Sequence, residues 1–585
     1  MLLPALLTAL LAQAPLTTTA EKSNWTRTGR YSEVEALCRA FPQAFPGKAR
    51  CDTYGTSPEG RPLLVLVASA DGTLTPAAAA KKGRAVVLFQ GGIHAGEIDG
   101  KDAGFWLLRD MLEGKALPGV LRQVTAIFVP VVNVDGHERF GPNNRPNQVG
   151  PEEMGWRVTA QNLNMNRDYA KAEAPEMAAL LKLLHTWDPL VYLDLHVTDG
   201  AKFEHDVSVG IEPLKSGPEP LRALGTKLSG ELLAGLEAQG HLPVPFYPSF
   251  IKEDDPASGF SYGVAPPRFS QPYWAVHHRF GVLVETHSWK PYPQRVKATR
   301  DVVEGMLRLV ARDGAALLAA IKAADTQAES GQVREVVLAW EATEKSRTID
   351  FRGYAYTHES SPISNQRVVH YDDTKPQLWK VPYFDELRPG LTARLPQGGY
   401  LVPAAHAAWV AEKLRTHGLR FQRLDKAVPA AQVEVFRATE VKFRPQSYEG
   451  RQSLNLKGEW KPESHPLPAG TLYVPVAQPG VQLLAHLLEP LGPDSLLTWG
   501  YFNAHFEQKE YVEEYVLEPF ARQLLAQDSA VKAAWEERLK DAAFSADPRA
   551  RMRFFYERHP TYDTRLNLYP VFRVDSAPAG LRPPR

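Results

Sequence analysis

The sequence predicts an α/β domain followed by a second, α+β domain. Across residues 63–325, short runs of branched apolar residues alternate with helical patterns, which is typical of strands in a sheet covered by helices. After a polar stretch at 326–335, the apolar segments become short or alternate with polar residues, as antiparallel strands do. We therefore expect a layered first domain, a linker and a β-rich second domain.

Five apolar runs and four helical patterns define the first domain. Because the runs are almost continuously apolar, we expect strands buried on both faces at 63–69, 85–89, 124–132, 191–195 and 282–284. Apolar residues spaced three or four positions apart predict helices at 100–112, 175–184, 221–236 and 302–323. Asp99 is predicted to cap the first of these helices.

The second domain combines strand patterns with helices, predicted for example at 404–417 and 511–525. We find no tandem repeat and no low-complexity tract in the sequence. The predicted boundaries are a signal segment at 1–20, a first domain at 21–325, a linker at 326–335 and an accessory domain at 336–585.

The signal segment is predicted from the apolar stretch 2–11, which is too short to span a bilayer. Small residues follow it and offer two candidate cleavage sites, at Ala14 and Ala20. We therefore expect an exported protein, either secreted or periplasmic. In that setting a disulfide between Cys38 and Cys51 is plausible, and two buried thiols are the alternative.

The overall charge excludes a global electrostatic attraction to polyanions. The 67 basic and 67 acidic residues cancel, so we expect no nucleic-acid partner. Beyond the signal segment, no run approaches the roughly 18 apolar residues that a membrane helix needs, so we expect no membrane association of the mature protein. The oligomeric state stays open.

His94 and Glu97 stand out because they directly follow the apolar run at 85–89 and two glycines. A His and an acid three residues apart carry little information alone, since 17 His and 67 acids in 585 residues give roughly two such pairs by chance (17 × 67/585). The context is more specific. His196 ends a second apolar run and Glu285 ends a third, and ligands of open α/β sheets bind beyond the carboxyl ends of strands.

Two imidazoles and one carboxylate are a ligand set of catalytic zinc, with the fourth position left to water. The sequence therefore predicts a single Zn²⁺ ion bound by His94, Glu97 and His196. A carboxylate beside the zinc-bound water can take its proton, and Glu285 is the candidate for this general base.

Several segments together resemble the zinc carboxypeptidases of the carboxypeptidase A family, in the order in which that family has them. The segments lie within about 28–325 and are YGTSPEGRPL (54–63), GGIHAGEIDG (91–100), VVNVDGHERF (131–140), GWRVTAQNLNMNRDY (155–169), DLHVTDG (194–200) and VETHSWKPYPQRV (284–296). The resemblance implies a mixed, largely parallel sheet. It also implies a metallopeptidase, that is, a zinc hydrolase that removes the C-terminal residue of a peptide.

The resemblance also assigns further residues. Arg157 would polarise the scissile carbonyl, and Asn166 and Arg167 would bind the free C-terminal carboxylate of the peptide substrate. Asp194 is a possible partner of a zinc ligand. The family's mobile-loop tyrosine matches neither Tyr262 nor Tyr273 in spacing.

The specificity pocket is not readable from the sequence, because Asp254, Asp255 and Arg268 in the relevant stretch predict opposite preferences. Two other functions remain open. The same zinc site could serve an amidase or deacylase acting on peptidoglycan-type or N-acyl amino acid substrates. Alternatively, the chain could be a catalytically inactive peptide-binding pseudo-enzyme.

Overall fold

The computed structural model describes residues 16–582. Its first half contains nine strands: β1 (Ala49–Thr56), β2 (Pro62–Ala68), β3 (Ala85–Gly91), β4 (Val124–Val129), β5 (Val191–Thr198), β6 (Val207–Glu212), β7 (Pro243–Val244), β8 (Phe260–Ser261) and β9 (Phe280–His287). All except β8 form one sheet in the order β1-β2-β4-β3-β5-β9-β6-β7. The central strands β4, β3, β5 and β9 are parallel, and β1, β2 and β6 pair antiparallel. The predicted mixed sheet is confirmed.

Helices cover both faces of this sheet. They are α1 (Thr19–Lys22), α2 (Tyr31–Ala44), α3 (Pro76–Lys82), α4 (Asp99–Leu112), α5 (Val134–Glu138), α6 (Pro175–Trp187), α7 (Glu219–Ala238), α8 (Ser270–Ala275) and α9 (Tyr292–Glu329). Apolar residues of α2, α4, α7 and α9 form the core on one face, and those of α6 and α8 form the core on the other. The largely apolar strands are therefore buried on both sides, as their sequences require.

Two details differ from the sequence-based expectation. Asp99 does not cap α4, because its carboxylate instead accepts hydrogen bonds from Thr286 Oγ1 at 2.9 Å and Arg295 Nε at 3.0 Å. Helix α9 is longer than predicted at both ends. It can begin well before residue 302 because Pro293 falls in its first turn, where a missing N–H breaks no helical hydrogen bond. Residues 326–329 of the predicted linker consequently belong to α9.

The second half is α+β, as predicted. Its strands are β10 (Glu335–Ala342), β11 (Arg347–Ser360), β12 (Arg367–Phe384), β13 (Leu387–Arg394), β14 (Gly399–Val402), β15 (Gln422–Leu424), β16 (Val428–Phe443), β17 (Leu454–Leu467), β18 (Leu472–Pro475), β19 (Phe572–Val574) and β20 (Leu581–Arg582). Its helices are α10 (Ala407–Thr416), α11 (Val481–Leu488), α12 (Glu514–Gln527), α13 (Ser529–Arg538), α14 (Ala542–Ala546) and α15 (Pro548–Tyr556). Seven strands form a sheet in the order β17-β16-β19-β14-β18-β15-β20, while β11 and β12 form a separate long hairpin.

The two halves share a hydrophobic core. One continuous cluster of buried residues combines α6 and α8 of the first half with α10 and α11 of the second, and its members include Leu180, Leu184, Trp274, Val410, Leu414 and Leu484. The hairpin also pairs with the first half, where Tyr383 and Phe384 of β12 lie beside Phe260 and Ser261 of β8. The outer surface of α6 is therefore covered by the second half.

The N-terminal region is attached to the first half. Cys38 of α2 and Cys51 of β1 form a disulfide. Of the predicted signal segment, residues 1–15 lie outside the described residues, whereas Thr19 donates hydrogen bonds to Glu33 through its backbone N–H and its hydroxyl group. Among the helices described, none is both long and apolar enough to cross a membrane.

Candidate metal centre and substrate cleft

The turn between β3 and α4 presents His94 and Glu97. Gly92 has a φ of 63°, in the left-handed region that glycine adopts without strain. A Cβ atom on Gly96 would lie 2.6 Å from the carbonyl oxygen of Gly155 and 2.6 Å from Cγ of Arg145. The turn therefore requires glycine at position 96, because the neighbouring backbone already occupies the space a side chain would need.

The turn brings two predicted ligands beside the third, which β5 supplies. His94, Glu97 and His196 each offer one ligand atom, and these atoms all lie within 4.8 Å of one another. Nδ1 of His94 is 2.9 Å from Oε1 of Glu97, and Nδ1 of His196 is 3.0 Å from Oε2. The chain thus gathers a two-imidazole, one-carboxylate donor set that fits a zinc ion with an open position.

Further groups orient these donors. Nε2 of His94 lies 3.2 Å from Oδ1 of Asn164. The backbone N–H of Val197 donates to Oε2 of Glu97 at 3.0 Å. Nε2 of His196 lies 2.8 Å from Oδ2 of Asp194, which is ion-pair distance although the angle is too poor for a hydrogen bond. Contacts of this kind fix the orientation of ligand rings, so Nδ1 of each histidine faces the centre of the donor set.

The charges around the donor set favour an ionised carboxylate. Although burial opposes ionisation, His94 and the Arg145 guanidinium hold the pKa of Glu97 well below its usual range. Arg145 Nη2 lies 2.8 Å from Glu97 Oε1, and Arg157 Nη1 lies 3.6 Å from the same oxygen. Burial lowers the pKa of His94 to about 4, so this imidazole is neutral near pH 7 and has a lone pair available for a metal.

Glu285 lies on β9 directly beside His196. The two residues are register partners on neighbouring parallel strands, and Ser208 of β6 flanks Glu285 on its other side. The side chain is only 8% exposed but still borders the open cleft. Burial raises the pKa of Glu285, and positive charge at His196 opposes this rise.

A cleft of about 730 Å³ extends from the donor set across β6 and β9. Arg157, Asn166 and Arg167 line it together with His94, Glu97 and Glu285. Its far part is bordered by neutral residues, namely Ser208, Gly210, Ser261, Tyr262, Gly263, Gln271 and Leu283. The structure therefore places the sequence-predicted site residues around one cavity, with His196 buried beside it.

Two of the segments that carry the family resemblance form a frame for Arg157 and its neighbours. Asn133 donates to the backbone oxygen of Arg157 at 3.1 Å. Asp135 accepts hydrogen bonds from Ser57 Oγ at 2.7 Å and Arg61 Nη1 at 2.6 Å. The segments at 54–63 and 131–140 thus hold the loop that carries Arg157 without lining the cleft themselves.

Three residues of the site have no counterpart in the sequence-based prediction. They are Arg145 beside Glu97, Asn164 beside His94, and Tyr247, whose hydroxyl lies 3.1 Å from Oγ1 of Thr198 at the rim of the cleft. The N-x-N-R spacing at 164–167 could have indicated Asn164. Arg145 lies in a loop rich in glycine, asparagine and proline that shows no regular pattern, so no sequence signal pointed to it.

Comparison with known proteins agrees with this geometry. Residues 34–206 match the model of the Peptidase_M14 family, described as zinc carboxypeptidase. The matched segment includes His94, Glu97 and His196, whereas Glu285 lies beyond it. The resemblance inferred from the sequence motifs is therefore confirmed over this segment.

Solved carboxypeptidase structures are also similar to this chain. A putative carboxypeptidase A from Shewanella denitrificans OS-217 is 17% identical, with 48% of this chain and 69% of that chain covered at a TM-score of 0.36. Carboxypeptidase A from Helicoverpa armigera is 17% identical, with 50% and 74% covered at a TM-score of 0.36. A metallo-carboxypeptidase from Pseudomonas aeruginosa, in complex with (2-guanidinoethylmercapto)succinic acid, is 15% identical, with 48% and 68% covered at a TM-score of 0.34.

Proposed function

We propose that this protein is a zinc-dependent metallocarboxypeptidase that hydrolyses the C-terminal peptide bond of peptides. The observation that carries the proposal is the composition of one cleft. The cleft combines a two-histidine, one-glutamate donor set with a buried carboxylate at Glu285 and with Arg157, Asn166 and Arg167. A metal-activated nucleophile, a proton acceptor and carboxylate-binding groups are the parts that such a reaction needs.

His94, Glu97 and His196 would hold the zinc ion, which when bound acidifies a water molecule and polarises a carbonyl group. Glu285, buried at the cleft next to His196, would accept a proton from the attacking water and pass it to the leaving amine. The guanidinium of Arg157 would stabilise negative charge on the carbonyl oxygen, because a cation already positioned at the cleft does not have to reorient during the reaction.

Asn166 and Arg167 would bind the substrate's free carboxylate. A guanidinium matches a carboxylate through two parallel hydrogen bonds, and Arg167 is held over the ring of Phe269 at 4.4 Å. Oδ1 of Asn166 is buried and has no hydrogen-bond partner among the residues described. Because an amide oxygen only accepts, Oδ1 would need a donor such as a peptide N–H of the substrate, whereas the Nδ2 group of Asn166 would donate to the substrate's carboxylate.

The far part of the cleft would take an uncharged C-terminal side chain. The cavity lining described in the structure includes neither Asp254 nor Asp255. Arg268 is also outside it, because its guanidinium pairs with Asp494 at 2.7 Å. Ser208, Gly210 and Leu283, which border this part of the cleft, carry no charge that could pair with a lysine or an aspartate.

The test is hydrolysis of a peptide mixture by the zinc-loaded protein, followed by mass spectrometry. We expect single residues with uncharged side chains to be lost from the C-terminus. Glu285→Gln is expected to lower kcat by about 10²–10⁴-fold while one zinc ion stays bound. Glu204→Gln, which changes a carboxylate outside the cleft, is the matched control and should retain activity.

Two results would contradict the proposal. Equally fast hydrolysis of C-terminally amidated peptides would favour the amidase or deacylase function, because no free carboxylate would then be required. Stoichiometric zinc without hydrolysis of any peptide in a diverse library would favour the pseudo-enzyme.

We further propose that the protein is exported, with cleavage at Ala14. Thr18 caps α1 and Thr19 contacts Glu33, so cleavage at Ala20 would remove both contacts. N-terminal sequencing of the exported protein tests this, and a mature chain that begins at Glu21 would contradict it.

A further inference from the structure

The long hairpin of the second half lies against one wall of the cleft. We define the wall segment as residues 243–262, which include β7 and β8 and contain Tyr247 and Tyr262 of the cleft lining. The hairpin consists of β11 and β12. Sequence reasoning gave the second half an accessory role, and its contacts with the wall segment point to a more direct one.

Backbone hydrogen bonds fix the hairpin to the first half. Strand β12 extends β8 in parallel, with Tyr383 opposite Phe260. The backbone N–H of Tyr262 donates to the oxygen of Phe384 at 2.8 Å. In addition, the backbone N–H of Glu204 donates to the backbone oxygen of Arg352 in β11 at 3.0 Å. The hairpin is thus connected to the wall segment and to the chain that follows His196.

Aromatic packing strengthens this connection. Phe246 stacks on Tyr383 with ring centroids 4.6 Å apart, and Phe260 lies 4.6 Å from Phe351. Trp379 of β12 lies 5.8 Å from Phe351 in a stacked arrangement, and its indole N–H donates to the backbone oxygen of Tyr354 at 2.9 Å. These rings belong to one buried cluster, separate from the main core of either half.

The residues next to these rings in sequence line the cleft. Tyr247 follows Phe246, and Tyr262 follows Phe260 by two positions. The hydroxyl of Tyr247 is 3.1 Å from Thr198 Oγ1, two residues beyond His196, and that of Tyr262 is 2.9 Å from Glu212. In this part of the wall, Phe246 and Phe260 pack against the hairpin, and Phe246 also lines the cleft together with Tyr247 and Tyr262.

We infer that the β11–β12 hairpin positions the substrate-binding wall, and that Trp379 is a positioning residue which acts on Tyr247 through Phe351, Phe246 and Tyr383. The inference rests on the proposed function for its link to catalysis. It makes the second half a constituent of the cleft. It also assigns a role to the hairpin, whose sequence pattern gave none.

The first experiment compares neighbouring residues on one strand. Trp379 is 5% exposed, whereas Leu378 is 51% exposed and points away from the cluster. Trp379→Ala is expected to raise KM for peptides by about tenfold, since small displacements of binding groups have effects of this size. We expect an unchanged zinc content, a KM within about twofold of wild type for Leu378→Ala, and partial rescue by Trp379→Phe, which keeps an aromatic ring.

A double-mutant cycle tests the route through Tyr247. If the hairpin acts through that side chain, Trp379→Ala should change KM much less in a Tyr247→Phe background than in wild type. Equal fold-changes in both backgrounds would overturn the assignment, because they would show that Trp379 affects KM independently of Tyr247. If Trp379→Ala does not fold, Trp379→Leu replaces it in the same cycle, with circular dichroism as the check of folding.

Hydrogen exchange provides a measurement that needs no catalysis. Backbone amides at 243–262 should exchange faster in Trp379→Ala than in Leu378→Ala or wild type, while those of β3 and β5 remain protected. Unchanged exchange at 243–262 would overturn the inference. If wild type hydrolyses no peptide, the proposed function fails, and the exchange data still decide whether the hairpin holds the wall.

Discussion

His417 should make the protein lose stability in acid. This side chain, at the end of α10, is fully buried between the two halves. Its Nδ1 accepts a hydrogen bond from the hydroxyl of Tyr273 at 2.9 Å, and its Nε2–H donates to the backbone oxygen of Ala170 at 3.1 Å. Burial, with smaller contributions from positive charge at His185 and Lys413, lowers its pKa to about 3.

Proton binding determines whether the free energy of unfolding rises or falls with pH. Below its ordinary pKa of 6.5, the unfolded chain binds a proton at His417 that the folded protein does not bind. Above pH 6.5 His417 is neutral in both states, and it does not make the free energy of unfolding depend on pH. As the pH falls from 6.5 towards 3, protonation of the unfolded chain at this residue lowers the free energy of unfolding. At pH 5 the difference of 1.5 pH units corresponds to about 2 kcal/mol, at 1.36 kcal/mol for each unit.

The assay is urea unfolding at pH 7.5 and pH 5.0, followed by both tryptophan fluorescence and circular dichroism so that a single transition can be verified. His417→Gln is expected to be less stable than wild type at pH 7.5, because it weakens two buried hydrogen bonds. Between pH 7.5 and pH 5.0, its free energy of unfolding should fall by about 2 kcal/mol less than that of the wild type. His370→Gln, at an exposed histidine of β12, is the control and should keep the wild-type dependence. A wild-type dependence in His417→Gln would refute the reasoning, since other buried groups would then be responsible.

Three further predictions concern the metal turn and the division of the chain. Asn164→Ala should weaken zinc binding by about 10–100-fold, because His94 loses the group that orients its ring. Competition with a chelator measures this affinity, and an unchanged value would contradict the prediction. Gly96→Ala should also lower zinc occupancy, measured by elemental analysis, because a Cβ atom would meet Gly155 at 2.6 Å; full occupancy would show that the turn can shift. The fragment 21–325 should aggregate on expression, because α6 loses the cover that α10 and α11 provide, and a soluble, folded fragment would contradict the shared core.

Much of the first half could be predicted because its signals are local. Residues 85–89, which precede the metal turn, are apolar at every position and therefore belong to a strand buried on both faces, whatever its neighbours are. The carboxyl ends of parallel strands meet at one edge of a sheet, so strand assignment alone was sufficient to bring His196 and Glu285 near each other.

What could not be predicted depends on distant partners. Asp99 precedes a helix and has the character of a cap, and only the folded chain shows that Arg295 binds it instead. The cleft position of Tyr247 depends on pairing and packing with strands more than a hundred residues later. The charges of Asp254, Asp255 and Arg268 gave conflicting pocket predictions because sequence proximity did not reveal that Arg268 pairs with Asp494.

The shared core has a consequence for biosynthesis. A ribosome completes α6 and α8 long before it reaches α10 and α11, which cover them in the finished protein. The nascent chain therefore exposes the apolar surface of α6 and α8 while about two hundred further codons are translated. At 5–20 residues per second this takes roughly 10–40 s. Chaperone occupancy of ribosome-bound intermediates should peak over this interval and fall once residue 488 has emerged.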